Sequence, residues 1–504
     1  MNVHLMFKDR DFSMEQELPA HEKELTQDLE LDTLLEAMAL GDDYLFKVSK
    51  SALFAGLLDP QRIQYRQDIL KDCIDNPLVV RDMYDITMES IRNKRKYWLG
   101  IFTRYPGAVL NSSVRMLQMF IGLLKKLRAL ADEHAEKFVS EGFTRFFEMI
   151  KEELDDDYFL TVQQHLEELK FRRGVYVSAV LGKGNEGCRY VLRKMQDNVS
   201  PGRIHRFFAG KSPVYSFSIN PRDESCSRAL SDLRDKGINL VANALAKSAD
   251  HINSFFEMLR TELSFYTGCL NLYEQVSKMD VPVSFPAPLD MNESKQSFKE
   301  LHDISLALTM KKKTVGNDAR MRGSDLAIIT GANQGGKSTF LRSIGLSQIM
   351  MQSGMFVTAE SFTAPVCRGI FTHYRREEDS TMESGKLDEE LQRMSRIVDS
   401  LSPHCLVLFN ESFAATNERE GSEIAKQIVT VLLEKRMRVF FVTHLYLFAR
   451  YFYEEKMKGT TFLRAGRGPG GVRTFKLVEG EPLQTSYGKD LYNEIILTND
   501  YKKE

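Results

Sequence analysis

The fold of this chain is decided by one stretch, Gly331-Ala332-Asn333-Gln334-Gly335-Gly336-Lys337-Ser338-Thr339. It fits the pattern G-x-x-x-x-G-K-[ST], in which glycines let backbone N–H groups approach phosphates. The apolar run 326–330 precedes it and predicts a buried strand, and helical periodicity follows from Thr339. The alternative is a coincidental glycine turn. The flanking strand and helix favour a phosphate-binding loop, because a helix N-terminus adds favourable partial charge for an anion.

The side chains of this stretch predict how a nucleotide would be held. Lys337 is expected to reach the β- and γ-phosphates, and the hydroxyl of Ser338 is expected to ligate Mg²⁺. We therefore predict that residues 331–339 bind ATP, with Mg²⁺ as the cofactor.

Composition places the chain among ordinary globular proteins of several domains. Its 504 residues exceed what one hydrophobic core usually supports. Because its net charge is only -2, a nucleic acid would have to be bound by local basic patches and not by the overall charge. Six scattered cysteines without C-x-x-C spacing predict free thiols in a reducing compartment and no zinc site. No signal pattern and no apolar run near 20 residues is evident. We expect a cytoplasmic protein without a membrane partner.

Periodicity divides the chain into five parts. Residues 1–170 predict a helical core, 171–222 a small β-rich basic segment that resembles a clamp, and 223–281 one long lever helix. Three prolines mark 282–290 as a linker, and alternating strands and helices make 291–504 an α/β domain with a mainly parallel sheet.

Within the helical part, two features are specific enough to check. Asp59-Pro60 predicts a helix start, with Ile63, Ile69, Leu70 and Cys73 as its inner face. The long helix is expected either to be continuous or to be broken near Gly237. It would serve as a lever, or more simply as a core helix of a bundle. Its predicted apolar stripe comprises Leu230, Leu233, Leu240, Val241, Ala244, Leu245, Ile252, Phe255, Phe256 and Leu259.

The β-rich segment carries a cluster of cations. Two strands, 175–181 and 190–192, are predicted around a glycine turn, and 214–219 alternates like a third. The cations indicate a nucleic-acid contact through phosphate neutralisation, or simply a solvated loop. They are Arg189, Arg193, Lys194, Arg203, Arg206 and Lys211.

Two further apolar runs complete a predicted ATPase site. The run 405–409 ends at Asn410 and Glu411, where a metal-associated side chain and a catalytic carboxylate are expected. The run 439–442 ends at Thr443 and His444, and the histidine there either senses the γ-phosphate or is structural. We predict that Glu411, His444 and Lys337 are catalytic, and that Ser338 and Asn410 hold the metal.

The order of these motifs resembles the MutS family, ABC-type ATPases best known from DNA mismatch repair. GANQGGKST, LVLFNESFAATNEREG and FVTH carry the resemblance, and Ser486-Tyr487-Gly488 extends it. Two helical stretches, at 32–37 and 59–67, resemble the family's core, so that the likeness covers about 25–495. The implied fold is multidomain: an all-α helical core and lever with a small β-rich insertion, followed by an α/β P-loop (ABC-type) ATPase domain.

The resemblance also implies partners and further site residues. Two chains would share two ATP sites as a homodimer, with a signature segment in 379–390 acting on the partner's nucleotide. Ser384 and Gly385 are the candidates for that contact, and adenine would rest near His302 and Ile304. DNA is the implied partner, and RNA is left open.

Three departures from the family pattern affect these expectations. The likeness starts at the helical core, so we expect no specific mismatch reading; two Phe-Phe-Glu stretches, at 146–148 and 255–257, are predicted core residues in helices. Asn410 replaces an aspartate, which predicts weaker Mg²⁺ binding. Phe413 and Ala415 replace glycines in the interface loop.

Three functions therefore compete at this point. The first is a dimeric ATPase that binds DNA and couples nucleotide state to a clamp. The second is a conformational switch that acts on a protein partner, and the third is an ATPase associated with RNA or ribosomes. Because fold does not fix function, nucleic-acid binding assays have to separate them.

Overall fold

The computed structural model divides into two compact units. Unit 1 comprises Met1–Val3, Arg81–Glu136 and Arg145–Arg260, and unit 2 comprises His4–Val80, Lys137–Thr144 and Thr261–Glu504. The five-part division expected from the sequence stays a prediction. The residues that the structure describes are 1–15, 18–97, 105–172, 174–194, 218, 220, 222–323, 325–376, 385–457, 459–468 and 472–483.

Helices occupy most of the first 280 residues and alternate with strands thereafter. The helices in the described part of the chain are α1 (Glu22–Asp28), α2 (Leu31–Ala39), α3 (Asp43–Phe54), α4 (Pro60–Asp75), α5 (Pro77–Tyr97), α6 (Pro106–His134), α7 (Glu141–Glu153), α8 (Asp156–Glu168), α9 (Glu224–Ser277), α10 (Ile304–Met310), α11 (Lys337–Gln352), α12 (Lys386–Ser400), α13 (Glu418–Glu434) and α14 (Tyr446–Glu454).

Within the described residues, the strands form a two-stranded, a four-stranded and a six-stranded sheet. They are β1 (Val177–Leu181), β2 (Gly187–Leu192), β3 (Ala287–Leu289), β4 (Lys295–Leu301), β5 (Asn317–Arg322), β6 (Leu326–Thr330), β7 (Ser361–Pro365), β8 (Ile370–Tyr374), β9 (Leu406–Asn410), β10 (Arg438–Val442), β11 (Thr460–Arg467) and β12 (Arg473–Glu479). The four-stranded sheet has the order β3-β7-β4-β5. Its first strand lies within the stretch expected to be a proline-rich linker.

The six-stranded sheet, in unit 2, has the order β12-β11-β6-β10-β9-β8. Strands β11, β6, β10, β9 and β8 are mutually parallel, and only β12 runs antiparallel to its neighbour. Phe409 and Phe441 stack between neighbouring strands with ring centroids 4.8 Å apart. Because a parallel sheet is covered on both faces, its strands are continuously apolar. This is why β6, β9 and β10 were recognisable in the sequence.

The predicted start of α4 in unit 2 is confirmed. Asp59 Oδ1 accepts a hydrogen bond from the Gln61 N–H at 2.9 Å, and Pro60 occupies the first helical position. An N-cap carboxylate satisfies a backbone donor that has no partner within the helix. The predicted inner face of the helix is fully buried: Ile63, Ile69, Leu70 and Cys73.

In unit 1, α9 continues through Gly237, so the alternative of a break there is wrong. A Cβ added at Gly237 would lie 2.6 Å from a methyl group of Val177, so the glycine gives β1 room to approach α9. The expected apolar stripe is also only partly buried. Phe255 and Phe256 are buried, whereas Leu230, Leu233 and Leu240 are 50%, 46% and 75% exposed.

Two other expectations for unit 1 are confirmed. Strands β1 and β2 pair antiparallel, as the glycine-punctuated pattern predicted. Of the third expected strand, 214–219, only Ser218 lies within the described residues, so that strand stays a prediction. Phe146 and Phe147, like the phenylalanines of α9, are buried helix residues. They pack in the core, as the sequence predicted.

One helix among the described residues is long and apolar enough to cross a membrane by length and composition. It covers residues 106–137, and half of its most apolar window is buried within the protein. A buried core helix passes the same test, so this finding is weak evidence for a membrane span. No run of that kind was evident in the sequence, and the absence of a membrane partner stays a prediction.

Candidate nucleotide-binding site

The glycine loop, residues 331–336, lies between β6 and α11, as the sequence predicted. Gly331 and Gly336 have φ angles of 115° and 88°, in the region that side chains disfavour. A Cβ added at Gly335 would lie 2.7 Å from the Cβ of Ala465 on β11. Positive φ angles and the close neighbouring strand therefore both require glycine in this loop.

Lys337 begins α11 and is 4% exposed. Its Nζ donates to the carbonyl oxygens of Gly331 and Ala332 at 3.0 and 2.9 Å. Burial lowers the pKa of Lys337 to about 8, and the charge of Glu411 acts in the opposite direction. The lysine is therefore a partly desolvated cation that an additional anion would stabilise.

The predicted metal ligands lie side by side. Ser338 Oγ donates to Asn410 Oδ1 at 3.0 Å, although 72 residues separate them in the chain. Hydroxyl and amide oxygens are ligands that Mg²⁺ accepts, and the ion commonly retains several waters. The pair fits a Mg²⁺ held partly by phosphate oxygens and water, but neither side chain supplies the negative charge that an aspartate would.

Glu411 directly follows β9 and contacts His444, which lies two residues beyond β10. Glu411 Oε1 is 2.9 Å from His444 Nε2. This hydrogen bond lowers the pKa of Glu411, while burial opposes it and the charge of Lys337 adds to it. Glu411 is therefore ionised at neutral pH, as a proton acceptor must be.

His444 lies between the other two predicted catalytic residues. Its Nε2 is 2.9 Å from the Glu411 carboxylate and 3.3 Å from Lys337 Nζ. The carboxylate can only accept and the ammonium can only donate. Nε2 therefore donates to Glu411 when it carries a proton, and accepts from Lys337 when it does not. Which of the two residues His444 hydrogen-bonds therefore depends on whether its Nε2 carries a hydrogen.

The residues predicted to lie near adenine are buried. His302 and Ile304 are each 1% exposed. Burial lowers the pKa of His302, whose Nδ1 lies 3.2 Å from Thr314 Oγ1. Between them, Asp303 pairs with Arg342 of α11 at 2.6 Å. The structure thus ties this segment to the helix of the glycine loop, and nucleotide contact by His302 and Ile304 stays a prediction.

Of the expected signature pair, only Gly385 lies within the described residues. It precedes α12, and a Cβ added to it would have no atom within 4 Å. Ser384 lies outside the described residues, as does the Ser486-Tyr487-Gly488 motif. The contact across a dimer stays a prediction.

The predicted nucleic-acid residues in the described part of unit 1 lie on or just after β2. Arg189, Arg193 and Lys194 are exposed. Arg193 Nε donates to Ser178 Oγ at 2.9 Å, and Lys194 forms an ion pair with Glu168 at 2.7 Å. Arg203, Arg206 and Lys211 lie outside the described residues.

Two arginines near the site were missed by the sequence analysis. Arg473 of β12 donates to Gln334 Oε1 of the glycine loop at 2.7 Å. Arg375 follows β8, its backbone N–H donates to Asn410 O at 2.9 Å, and its charge helps to lower the pKa of Glu411. Arg375 had a recognisable signal, because it directly follows a buried strand, whereas Arg473 lies on an edge strand with no such signal.

Two family models match the chain. The model described as the MutS2 N-terminal domain matches residues 58–279, and the model described as MutS domain V matches residues 327–495. The second match includes Lys337, Asn410, Glu411 and His444. The chain belongs to the MutS family.

Curated relatives in the MutS family each match less than half of the chain. MutS protein homolog 4 of Homo sapiens is 28% identical over 239 residues, covering 46% of this chain and 24% of its own length. DNA mismatch repair protein MutS of Lactobacillus helveticus (strain DPC 4571) is 30% identical over 220 residues, 41% and 26% respectively. The protein of that name in Shouchella clausii (strain KSM-K16) is 29% identical over 219 residues, covering 41% of this chain and 25% of its own length. The matched region thus spans about a quarter of each relative.

Proposed function

We propose that this member of the MutS family binds and hydrolyses ATP, in an α/β P-loop domain of ABC type. The observation that carries the proposal is the meeting of Lys337, His444 and Glu411 at the carboxyl end of one parallel sheet, beside a glycine loop. Open α/β sheets bind ligands at this edge. A cation, a histidine and an ionised carboxylate in contact there suit phosphoryl transfer to water.

The proposal assigns one role to each residue. Lys337 binds the β- and γ-phosphates, and the glycine loop surrounds them with backbone N–H groups. Glu411 accepts the proton of the attacking water. His444 lies close to the γ-phosphate and senses it through a hydrogen bond. Ser338 and Asn410 would hold Mg²⁺, which neutralises phosphate charge when bound. Since Asn410 is uncharged, the phosphates contribute most of the affinity for the metal.

We further propose that two chains act together and that the assembly binds DNA. The relatives named as DNA mismatch repair proteins support DNA as the partner. Exposed Arg189 and Arg193 suit phosphate contacts, which carry no direct sequence information. Coupling of the nucleotide state to a clamp in 171–222, a trans contact by Ser384 and Gly385, and a cytoplasmic location belong to the same proposal.

The test of ATP hydrolysis is Glu411→Gln, which keeps the size of the side chain and removes the proton acceptor. We expect ATP binding to persist and turnover to fall about 10²–10⁴-fold. The matched control is Glu423→Gln on α13, an exposed glutamate that pairs with Lys426 on its own helix. Normal turnover by Glu411→Gln would refute the assignment of the base.

The nucleic-acid part is tested by measuring ATPase activity with duplex, branched and single-stranded DNA and with RNA. We expect DNA to change the rate and its binding to weaken steeply with salt. A response to RNA alone, or no response to any nucleic acid, would overturn DNA binding without affecting ATP hydrolysis.

A further inference from the structure

The segment that carries Glu411 has an unusual backbone. Glu411 and Phe413 have φ angles of 55° and 60°, the left-handed region that L residues with a Cβ seldom adopt. Such conformations persist where the surroundings hold them, and they cluster at functional sites. What surrounds residues 411–413 therefore decides where the Glu411 carboxylate points.

Glu390 of α12 holds the far end of this segment. Its Oε2 accepts a hydrogen bond from the Phe413 N–H at 2.7 Å, in a buried environment. Glu390 is 7% exposed, and burial raises its pKa, with nearby Arg393 and Arg375 acting in the opposite direction. Burying a carboxylate costs free energy unless it is hydrogen-bonded. Glu390 therefore accepts from the N–H of Phe413, a residue that lies beyond the end of β9 and has no strand partner for that donor in the described hydrogen bonds.

His373 of β8 holds the middle of the segment. Its Nε2 lies 3.0 Å from the carbonyl oxygen of Glu390, and its Nδ1 lies 2.7 Å from Ser412 Oγ. Because a carbonyl can only accept, Nε2 carries the proton of the neutral ring. The Ser412 hydroxyl donates to the backbone carbonyl oxygen of His373 at 2.5 Å, and its Oγ also lies against the unprotonated Nδ1. Burial lowers the pKa of His373 to about 3, so this neutral tautomer persists at all physiological pH values. The ring also stacks on Phe413, with centroids 5.2 Å apart.

We propose that Glu390, His373 and Ser412 are positioning residues that hold Glu411 and Phe413 in the left-handed conformation and so direct the Glu411 carboxylate toward His444. The three residues, called here the buried support, act on Glu411 through the chain segment that follows it. The inference rests on the proposed function, because it matters for the reaction only if Glu411 is the base. It adds that α12, which follows Gly385, controls the placement of that base.

The decisive variants distinguish the hydrogen bond from the charge. Glu390→Ala removes the acceptor, and we expect kcat for ATP to fall roughly 10- to 100-fold, since small misplacement of a catalytic group has effects of this order. KM and the nucleotide dissociation constant should stay within about twofold, because Lys337 and the glycine loop are unaffected. Glu390→Gln keeps an acceptor oxygen and should restore kcat to within a few-fold of wild type.

Ser412→Ala is the smallest change in the buried support, and it keeps the test possible if Glu390→Ala does not fold. It should lower kcat by about two- to tenfold, the effect of one hydrogen bond. Asp399→Ala, which removes an exposed carboxylate at the other end of α12, is the matched control and should leave kcat unchanged. Thermal unfolding of each variant shows whether the chain is folded when kcat is measured.

The outcomes separate the two proposals. If wild type hydrolyses ATP and Glu411→Gln does not, while folded Glu390→Ala and Ser412→Ala have normal kcat, the positioning role is overturned and the base stands. Equal losses in Glu390→Gln and Glu390→Ala would overturn the hydrogen-bond account. Parallel losses of kcat and nucleotide affinity would indicate a merely structural role. Wild type without ATPase activity would overturn the proposed function and, with it, this inference.

Discussion

The depressed pKa of Lys337 predicts that nucleotide binding depends on pH. Burial lowers the pKa of Lys337 in the free protein to about 8, from an ordinary value of 10.5. Bound phosphates favour the charged form and raise the pKa toward its ordinary value. The difference corresponds to about 3 kcal/mol between the two protonation states. Binding therefore takes up a proton above about pH 8, and affinity falls as the pH rises.

The magnitude follows from the fraction of charged lysine. With a pKa of about 8, Lys337 is mostly charged at about pH 7 and about nine-tenths neutral at about pH 9. If phosphates restore the ordinary pKa, the dissociation constant for ATP should be about tenfold higher at pH 9 than at pH 7. Fluorescence titration with a non-hydrolysable ATP analogue measures this ratio.

Lys337→Arg is the control for this pH dependence, because guanidinium remains charged throughout the range. Its affinity is expected to be lower, yet constant between about pH 7 and 9. Calorimetry in buffers of different ionisation enthalpy should show proton uptake near pH 8.5 for wild type and not for the arginine variant. A wild-type dissociation constant that does not change over this range would refute the reasoning about Lys337.

Three further predictions concern the metal, the dimer and the nucleic acid. Wild type should need more Mg²⁺ for half-maximal hydrolysis than Asn410→Asp, and an unchanged requirement would show that phosphates and water already satisfy the metal. Gly385→Glu has room in the fold; mixed with Lys337→Ala it should restore one active site per heterodimer, and inactive heterodimers would count against shared sites. Replacing Arg193 and Lys194 with alanine should make the salt slope of duplex binding shallower by up to about two, whereas an unchanged slope would place the contact elsewhere.

Much of the candidate nucleotide site was predictable because its motifs are local in the chain. The apolar run before Gly331 became β6, and the glycine loop and α11 followed in register. Glu411 and His444 were found because each lies just beyond a continuously apolar run. Such runs are buried parallel strands, and the carboxyl ends of parallel strands meet at one edge.

The predictions that were wrong depended on packing partners. Gly237 signalled an interruption of α9 because glycine weakens isolated helices. In the fold its missing side chain gives Val177 room, which no local pattern records. Helical periodicity likewise placed Leu230 and Leu240 on the apolar stripe of α9, and both are exposed. Periodicity identifies a face of a long helix but does not say which part of that face packs against a neighbour.

The sequence by itself determined which side chains are candidates for the reaction and the element that carries each one. The tertiary structure alone decided their order in space. His444 lies between Lys337 and Glu411 because β10 lies between β6 and β9, although it follows both in the chain. The Lys337–His444 contact joins residues 107 apart, and the support of Phe413 by Glu390 spans 23. Periodicity specifies faces over a few residues, whereas such contacts depend on strand order, which is set by the packing of the whole sheet.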